Sequence, residues 1–497
     1  MSYQPDLESV RALVRQSGAN LAPVYRDVAA DLETPVSAFL KVARGEHSFL
    51  LESVEGGERI ARYSFIGTEP YRVLRCGPYD DPSQGSDPLR EIEAELSRYR
   101  LAHLQNGLPR FTGGAVGFLA YDAVRHFEPR VPIVREDSQR VPEALFMFVD
   151  TLLVFDHLRH TIKVVSHCRL DGDVETSYRQ ACWRIDELVK RLARPLPATP
   201  CPVEPAPAVQ QPVHSNLNQE QYVANVERAR RYIIDGDVIQ VVPSQRLSRR
   251  SGAHPFSIYR SLRTVNPSPY MYYLALGDAH IIGTSPEMLV RVEDGLVETH
   301  PIAGTRRRGR NPEEDAALEE ELGSDEKERA EHVMLVDLGR NDIGRVSQPG
   351  SVSVGDFMIV ERYSHVMHLV SRVTGRLRPD LSAYDALRAC FPAGTVTGAP
   401  KIRAMEIIAE LEPCRRGPYA GAVGYFDLSG NMDTAITIRT IVMKEGVAHI
   451  QAGGGIVYDS VPEMEYQESL SKARALLVAI DQAEAMEKTV AGGSLGY

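Results

Sequence analysis

The chain has 497 residues, 43% of them hydrophobic and 25% charged, an ordinary globular balance with material for about three domains. A formal net charge of -11 disfavours a general nucleic-acid binder, because neutralising phosphates takes a basic face; a local basic pocket for a small anion stays open. No apolar run reaches the roughly 20 residues of a membrane span, and the first ten residues lack a signal-peptide pattern, so a cytoplasmic protein is expected.

Six cysteines (Cys76, Cys168, Cys182, Cys201, Cys390 and Cys414) form no C-x-x-C pair, which argues for reduced thiols rather than a disulfide framework or thiolate zinc. In chain order, apolar runs at 48–53, 111–121, 145–155 and 161–166 read as strands, and 177–192 as a helix. Residues 76–87 read as a loop. Prolines at 195, 197, 200, 202, 205, 207 and 212 remove backbone donors and fix φ, so 194–215 is expected to be an extended connector between 1–193 and 216–497. Beyond it, 219–235 reads as an amphipathic helix and 279–282 as a strand. Residues 315–338, 402–411 and 462–480 read as helices, and 420–458 as an antiparallel meander with turns at Ser429-Gly430-Asn431 and Lys444-Glu445-Gly446. Strands grouped together, then helices, favour an α+β class.

Two strings recur across the connector in the same order. Ile66-Gly67-Thr68-Glu69-Pro70 returns as Ile282-Gly283-Thr284-Ser285-Pro286, and Gly114-Ala115-Val116-Gly117-Phe118 as Gly421-Ala422-Val423-Gly424-Tyr425. An internal duplication accounts for them; so does chance likeness of short glycine-rich turns.

Four acidic residues stand out. Glu328 and Glu331 are three apart at the head of one helical run, and Glu465 and Glu468 repeat that spacing on another, so each pair presents two carboxylates to one side. Facing one cavity, the two pairs would repel unless a hard divalent cation such as Mg²⁺ lay between them. The same spacing is common on solvated helix faces. The run Gly394 to Lys401 suits an anion at a helix start, but Ala399-Pro400 separates Gly398 from Lys401, which breaks the nucleotide-binding pattern. Gly453-Gly454-Gly455 permits either close ligand approach or a tight turn. Arg439 on an apolar strand is either paired structurally or held for a carboxylate. Lys472, one helical turn past Glu468, is its ion-pair partner or a substrate clamp, and His368 sits in an apolar stretch as a core histidine would.

Taken together, these pieces resemble the chorismate-utilising enzyme family, nearest its anthranilate-forming members. The resemblance rests on Pro301-Ile302-Ala303-Gly304-Thr305, Glu331 to Leu338 with Arg340-Asn341-Asp342, the run Gly394 to Lys401, Gln451 to Gly455, and Glu465 to Lys472. It implies an α+β fold of antiparallel sheets packed face to face with helices outside. It also implies conversion of chorismate and ammonia to anthranilate and pyruvate, with Mg²⁺ held by Glu331 and Glu468 and with Glu328 and Glu465 nearby as acid/base groups or water-mediated ligands. Tyr419, Arg439, the glycines 453–455 and Lys472 match groups that hold chorismate. His368 matches a histidine near the leaving hydroxyl, and Thr395 a neighbouring polar contact.

Two departures separate the chain from other members. Aminodeoxychorismate-forming relatives carry a nucleophilic lysine where this chain has Ala303, and isochorismate-forming relatives carry a lysine base where it has Gln240. Both favour ammonia as nucleophile and anthranilate as product, over an aminodeoxychorismate synthase or a silent tryptophan sensor. No cysteine lies in a Gly-x-Cys-x-Gly elbow, so a separate glutamine amidotransferase subunit, and hence a hetero-oligomer, is expected. Leu50-Leu51-Glu52-Ser53 and Asn266-Pro267-Ser268-Pro269-Tyr270-Met271 match the two walls of the family's feedback site. The resemblance therefore implies inhibition by tryptophan bound at Glu52, Ser53, Pro269, Tyr270 and Met271.

Overall fold

The apolar runs become two large antiparallel sheets in the computed structural model, which describes residues 2–16, 18–53, 62–77, 87–102, 108–132, 134, 136–196, 211–363 and 366–492. The first, of 11 strands, runs Leu21–Ala29, Thr161–Arg169, Thr151–Asp156, Tyr63–Thr68, His47–Glu52, Tyr270–Leu276, Ala279–Ser285, Thr440–Lys444, Val447–Gly453, Ser244–Arg250 and His214–Ser215. The second, of 10 strands, has Met288–Glu293, Met432–Ile436, Ala422–Asp427, Gly114–Leu119, Ala144–Val149 and Arg72–Cys76 at one end. Its other end is Leu296–Thr299, Val366–Arg376 and Ile302–Arg307, with Ser353–Arg362 also paired to Val366–Arg376.

Strand alternation separates the layers. Phe49 joins Phe118, Met147, Tyr272 and Val423 in a core between the two sheets. Leu50, its neighbour, faces the other way and packs with Ile185, Phe256 and Leu476 from the helices Val174–Leu192, Pro255–Val265 and Pro462–Gly492. Helices Pro88–Leu96 and Ala383–Cys390 cover the second sheet with Leu89, Ile92 and Leu387. This is the α+β arrangement of face-to-face antiparallel sheets with helices outside.

Both sheets are built twice over. His47–Glu52 pairs with Tyr270–Leu276 at the middle of the first sheet, and Gly114–Leu119 with Ala422–Asp427 in the second; outward from these seams the strands of the two halves follow in matching chain order. The recurring strings fall on equivalent places. A Cβ on Gly67 would lie 2.2 Å from the Phe49 ring, and one on Gly283 2.1 Å from the Tyr272 ring, so each glycine makes room for the aromatic opposite it. Gly117 faces Gly424 directly at the second seam. The halves differ most between matching strands: where the first half has one described helix, Pro88–Leu96, the second has residues 296–411, with further strands and four helices.

The expected connector falls largely on 197–210, outside the described residues, and strands from both sides of it share both sheets. Three elements differ from their sequence reading. The run 145–155 is two strands in different sheets, crossing at Asp150. The 420–458 meander divides likewise, two strands to each sheet. The helix expected over 315–338 is two, Pro312–Ser324 and Glu326–Gly344, because the Asp325 side chain accepts the N–H groups of Lys327 and Glu328 and starts a new helix. No disulfide joins the described cysteines, and no described helix is long and apolar enough to cross a membrane.

The second seam is the least forgiving point of the fold. A Cβ on Gly117 would lie 1.9 Å from Leu145 O, and one on Gly424 2.1 Å from Asp433 O, both backbone atoms. Gly117→Ala and Gly424→Ala should each lower stability by about 3 kcal/mol or more. Gly172→Ala, in open space, should stay within about 0.5 kcal/mol. Urea midpoints of the three variants check this.

Candidate active site

The two acidic helices converge. Capping by Asp325 sets Glu328 and Glu331 on the first turns of Glu326–Gly344, while Pro462–Gly492 starts beyond strand Val447–Gly453 and carries Glu465 and Glu468. Burial pushes the Glu331 carboxyl up; Glu328 and Glu468 push the same way, while Gln240 and Lys472 oppose it. Gln240 Nε2 donates to Glu331 Oε1 at 3.2 Å. Burial likewise raises Glu465, which Glu468 reinforces. A Cβ on Gly454 would meet Glu465 Oε2 at 2.8 Å and Glu468 Oε1 at 3.9 Å, so the glycine run lies directly against these carboxylates. Gly453 and Gly455, on either side of it, leave room instead for Pro243 O and the Gln240 side chain.

Three cations lie among these carboxylates. Lys472 Nζ stands 2.7 Å from Glu468 Oε1 and donates to Gly453 O at 2.9 Å. Arg439, at φ +50°, is half-buried and donates from Nη1 to Lys472 O at 2.7 Å. Among the described residues no carboxylate forms an ion pair with Arg439, although Glu468 and the buried Tyr419 lie within reach of its charge. Glu328 is tied by Arg306 at 3.2 Å, whose guanidinium also holds Asp325 and Glu321, each at 2.8 Å.

His368 lies on strand Val366–Arg376, and burial pushes its imidazole down. Its Nδ1 lies 2.8 Å from Gly304 O, an acceptor only, so a proton sits on Nδ1, and burial disfavours a second one on Nε2. Thr395 sits in the turn Gly394–Val396 and donates from Oγ1 to Glu287 Oε1 at 2.7 Å. Lys401 is committed elsewhere, donating to Asp342 Oδ2 at 2.7 Å and Cys390 O at 2.8 Å.

Sequence reasoning missed Glu287. It sits between strands Ala279–Ser285 and Met288–Glu293, and burial raises its carboxyl to about 8, so it is protonated at neutral pH. The available signal was a lone acid directly after the repeated Ile-Gly-Thr string, in an apolar setting. Arg306, which restrains Glu328, was also missed.

Among the described residues no three acidic, histidine or cysteine side chains form a metal-holding group. The donor chemistry still suits Mg²⁺, which commonly takes one or two protein carboxylates and completes its shell with water and substrate oxygens. Glu331 and Glu468 are such a pair.

A second feature lies between the sheets, a cavity of about 920 Å³ whose lining includes Glu52, Ser53, Pro269, Tyr270 and Met271. Pairing of Met271 with Glu52 brings the two walls together. Tyr270 OH donates to Asp433 Oδ1 at 3.1 Å, and Arg291 Nε to Asp433 Oδ2 at 3.0 Å, so the lining is polar and internally bonded. Glu52 is drawn to the helix beneath it, accepting from Tyr259 OH and lying 3.2 Å from Arg263 Nε.

A sandwich with an acid-and-guanidinium cleft of this kind defines a class, and comparison with known proteins names it. The family described as chorismate binding enzyme matches residues 46–478, and the chain belongs to that family of enzymes. It is 50% identical to anthranilate synthase component 1 of Acetivibrio thermocellus, over 97% of this chain and 99% of that protein. Identity to the component 1 of Saccharomyces cerevisiae is 44%, over 99% of each. Among solved structures it superposes on anthranilate synthase component I of Streptococcus pneumoniae with a TM-score of 0.74 at 39% identity, covering 90% of this chain and 98% of that one. The menaquinone-specific isochorismate synthase of Escherichia coli shares the fold, at a TM-score of 0.68 and 19% identity over 95% of this chain and 98% of that one.

The raised Glu287 carboxyl has a consequence for stability. The folded state binds its proton more tightly than the unfolded chain, so stability is greatest below about pH 4.5 and is lost as pH rises toward about 8. Glu287→Gln keeps an acceptor for Thr395 and removes the titration. Thermal melts from pH 5 to pH 9 should therefore show the variant gaining on the wild-type protein as pH rises. Parallel curves would contradict a protonated Glu287.

Proposed function

We propose that the chain is the synthase subunit of an anthranilate synthase, converting chorismate and ammonia to anthranilate and pyruvate at the head of tryptophan synthesis. The observation that carries this reading is one cleft that gathers the carboxylates of two helices beside a half-buried guanidinium, Arg439, which has no ion-pair partner among the described residues. A dianion with two separated carboxylates suits that polarity, provided a cation joins one of them to the acidic side.

Glu331 and Glu468 would hold that cation, Mg²⁺, and Lys472 would give up part of its contact with Glu468 to do so. When bound, the ion supplies Lewis-acid polarisation of the ring carboxylate. Arg439 binds the enolpyruvyl carboxylate through its planar fork, with Tyr419 beside it and the backbone of 453–455 against the substrate. Ammonia adds at C2 as the C4 hydroxyl leaves. Glu287, protonated and hydrogen-bonded to Thr395, donates the proton that turns this hydroxyl into water, while neutral His368 accepts or orients through its Nε2. Glu328 and Glu465 are left for proton transfer as pyruvate is eliminated. Ala303 offers no amine for covalent capture, and Gln240 no base for activating water.

Ammonia comes from a separate glutamine amidotransferase subunit, so the working enzyme is a hetero-oligomer in the cytoplasm. Residues 216–497 carry the reaction, and residues 1–193 supply Glu52 and Ser53 to the regulatory cavity. Tryptophan bound there inhibits.

Anthranilate fluorescence should appear with chorismate, Mg²⁺ and ammonium salts, and not with glutamine; glutamine-dependent turnover by the purified chain would overturn the subunit assignment. Glu287→Gln should lower kcat by about 10² to 10⁴, and wild-type kcat at constant free ammonia should fall as pH passes about 8. Ser53→Phe, which fills the cavity, should abolish tryptophan inhibition while leaving kcat unchanged; equal sensitivity in both proteins would remove tryptophan from this cavity.

A further inference from the structure

Behind the cleft lies a buried ion pair that the chemistry above does not use. Arg416 is 2% exposed and Glu412 6%. The guanidinium grips the carboxylate bidentately, Nη2 to Oε1 at 2.6 Å and Nε to Oε2 at 3.0 Å. Its remaining donors reach two other chain segments, Nη1 to Val396 O at 2.8 Å and Nη2 to Val242 O at 2.6 Å. Glu412 Oε1 also accepts from Ser244 N and Ser244 Oγ, both at 2.8 Å, and Ser244 Oγ in turn accepts from Gln451 Nε2 at 2.8 Å. The Arg416 Cζ lies 5.4 Å from the centre of the Tyr419 ring.

Each of these anchors sits beside a residue facing the substrate. Val396 follows Thr395, Val242 follows Gln240 by two, and Gln451 precedes Gly453 by two; Tyr419 is touched directly. One ion pair thus ties together four segments, two of which, at Gln240 and at the glycine run, lie directly against the acidic helices. Stability alone does not require charge here, since a buried pair exchanged for apolar side chains of similar volume is often neutral or better. What an apolar pair lacks is direction: only the guanidinium fork fixes three carbonyl and carboxylate positions at once.

We propose that Arg416 and Glu412 are positioning residues of the synthase reaction, holding Thr395, Tyr419, Gln240 and the glycine run at the spacing that chorismate requires. The inference rests on the assignment of this cleft to chorismate. Its test is the double variant Glu412→Leu/Arg416→Met, beside the single variant Arg416→Lys, which keeps the charge on Glu412 and cannot reach Val242 and Val396 together.

The double variant leaves Val242 O, Val396 O and Ser244 N without these partners and should melt lower than the wild-type protein. Assayed well below that melting temperature, it should lose at least tenfold in kcat/KM for chorismate with ammonium as donor, through both a higher KM and a lower kcat. Arg416→Lys should show the same split. Should the double variant fail to fold, the lysine variant decides alone, by its melting temperature and its KM. Wild-type KM and kcat in a folded variant would overturn the positioning role. Absence of anthranilate from the wild-type protein would instead refute the assigned reaction, and with it this role.

Discussion

The pairing of His47–Glu52 with Tyr270–Leu276 is the constraint on which the remaining architecture depends. It joins the two repeats edge to edge, so neither half of the first sheet ends in an unpaired strand at the middle of the molecule. It also sets Glu52 opposite Met271, which closes the walls of the inter-sheet cavity, and it lays the helix Pro255–Val265 against Glu52 from below. The second seam follows from the first, since two sheets packed face to face must be joined at corresponding places. There the strands meet as glycine against glycine, Gly117 opposite Gly424, and no side chain competes with the backbone for space.

Electrostatics divides the cleft's carboxylates into kinds by their surroundings. Glu287 is buried with one hydroxyl partner and no cation, and it holds its proton. Glu328 and Glu468 are each tied to a cation, Arg306 and Lys472, both of which are only partly buried. Glu331 lies between these cases, buried and pushed up by its acidic neighbours, with an amide from Gln240 as its close partner. One acid therefore keeps its proton while two others are neutralised by intramolecular cations. This division of labour among like groups comes from burial more than from spacing along the chain.

Several of these features were legible before any coordinates. The acidic pairs were visible because helical spacing puts i and i+3 on one side, and the glycine run because three glycines between strands invite close approach. The α+β class followed from grouped strands. The repeated strings, too short to decide between duplication and chance, become decisive once Gly67 and Gly283 are seen to accommodate Phe49 and Tyr272 in the same way. Glu287 was not legible, because a single acid has no period and its meaning comes entirely from what packs around it. The division of 145–155 and of 420–458 between two sheets was hidden for a related reason: both faces of these strands are buried, so alternation carries no sign of where the chain crosses over. The pair Arg416 and Glu412 reads in sequence as one more i, i+4 surface bridge, and only burial shows it to be something else.

The repeat also explains why one half carries the cleft. Strand registers place Leu152 opposite Gly67 as Thr440 is opposite Gly283, then Val164 opposite Leu153 as Ile450 is opposite Ile441; three residues on, His167 stands where Gly453 stands. The backbone at that point is treated alike in both halves. Arg184 Nη2 donates to His167 O at 2.8 Å, as Lys472 Nζ donates to Gly453 O at 2.9 Å. The side chain is not alike. A Cβ on Gly113 would lie 2.8 Å from His167 Cε1, so the imidazole already occupies the space over this strand end, and its burial keeps it neutral. At Gly453 a Cβ would meet Pro243 O at 2.2 Å, so backbone rather than a side chain fills that space. Otherwise matching strands thus end in a buried ring in one half and in a glycine packed against the Pro243 backbone in the other. Residues 296–411 of the second half then add Glu328, Glu331 and His368.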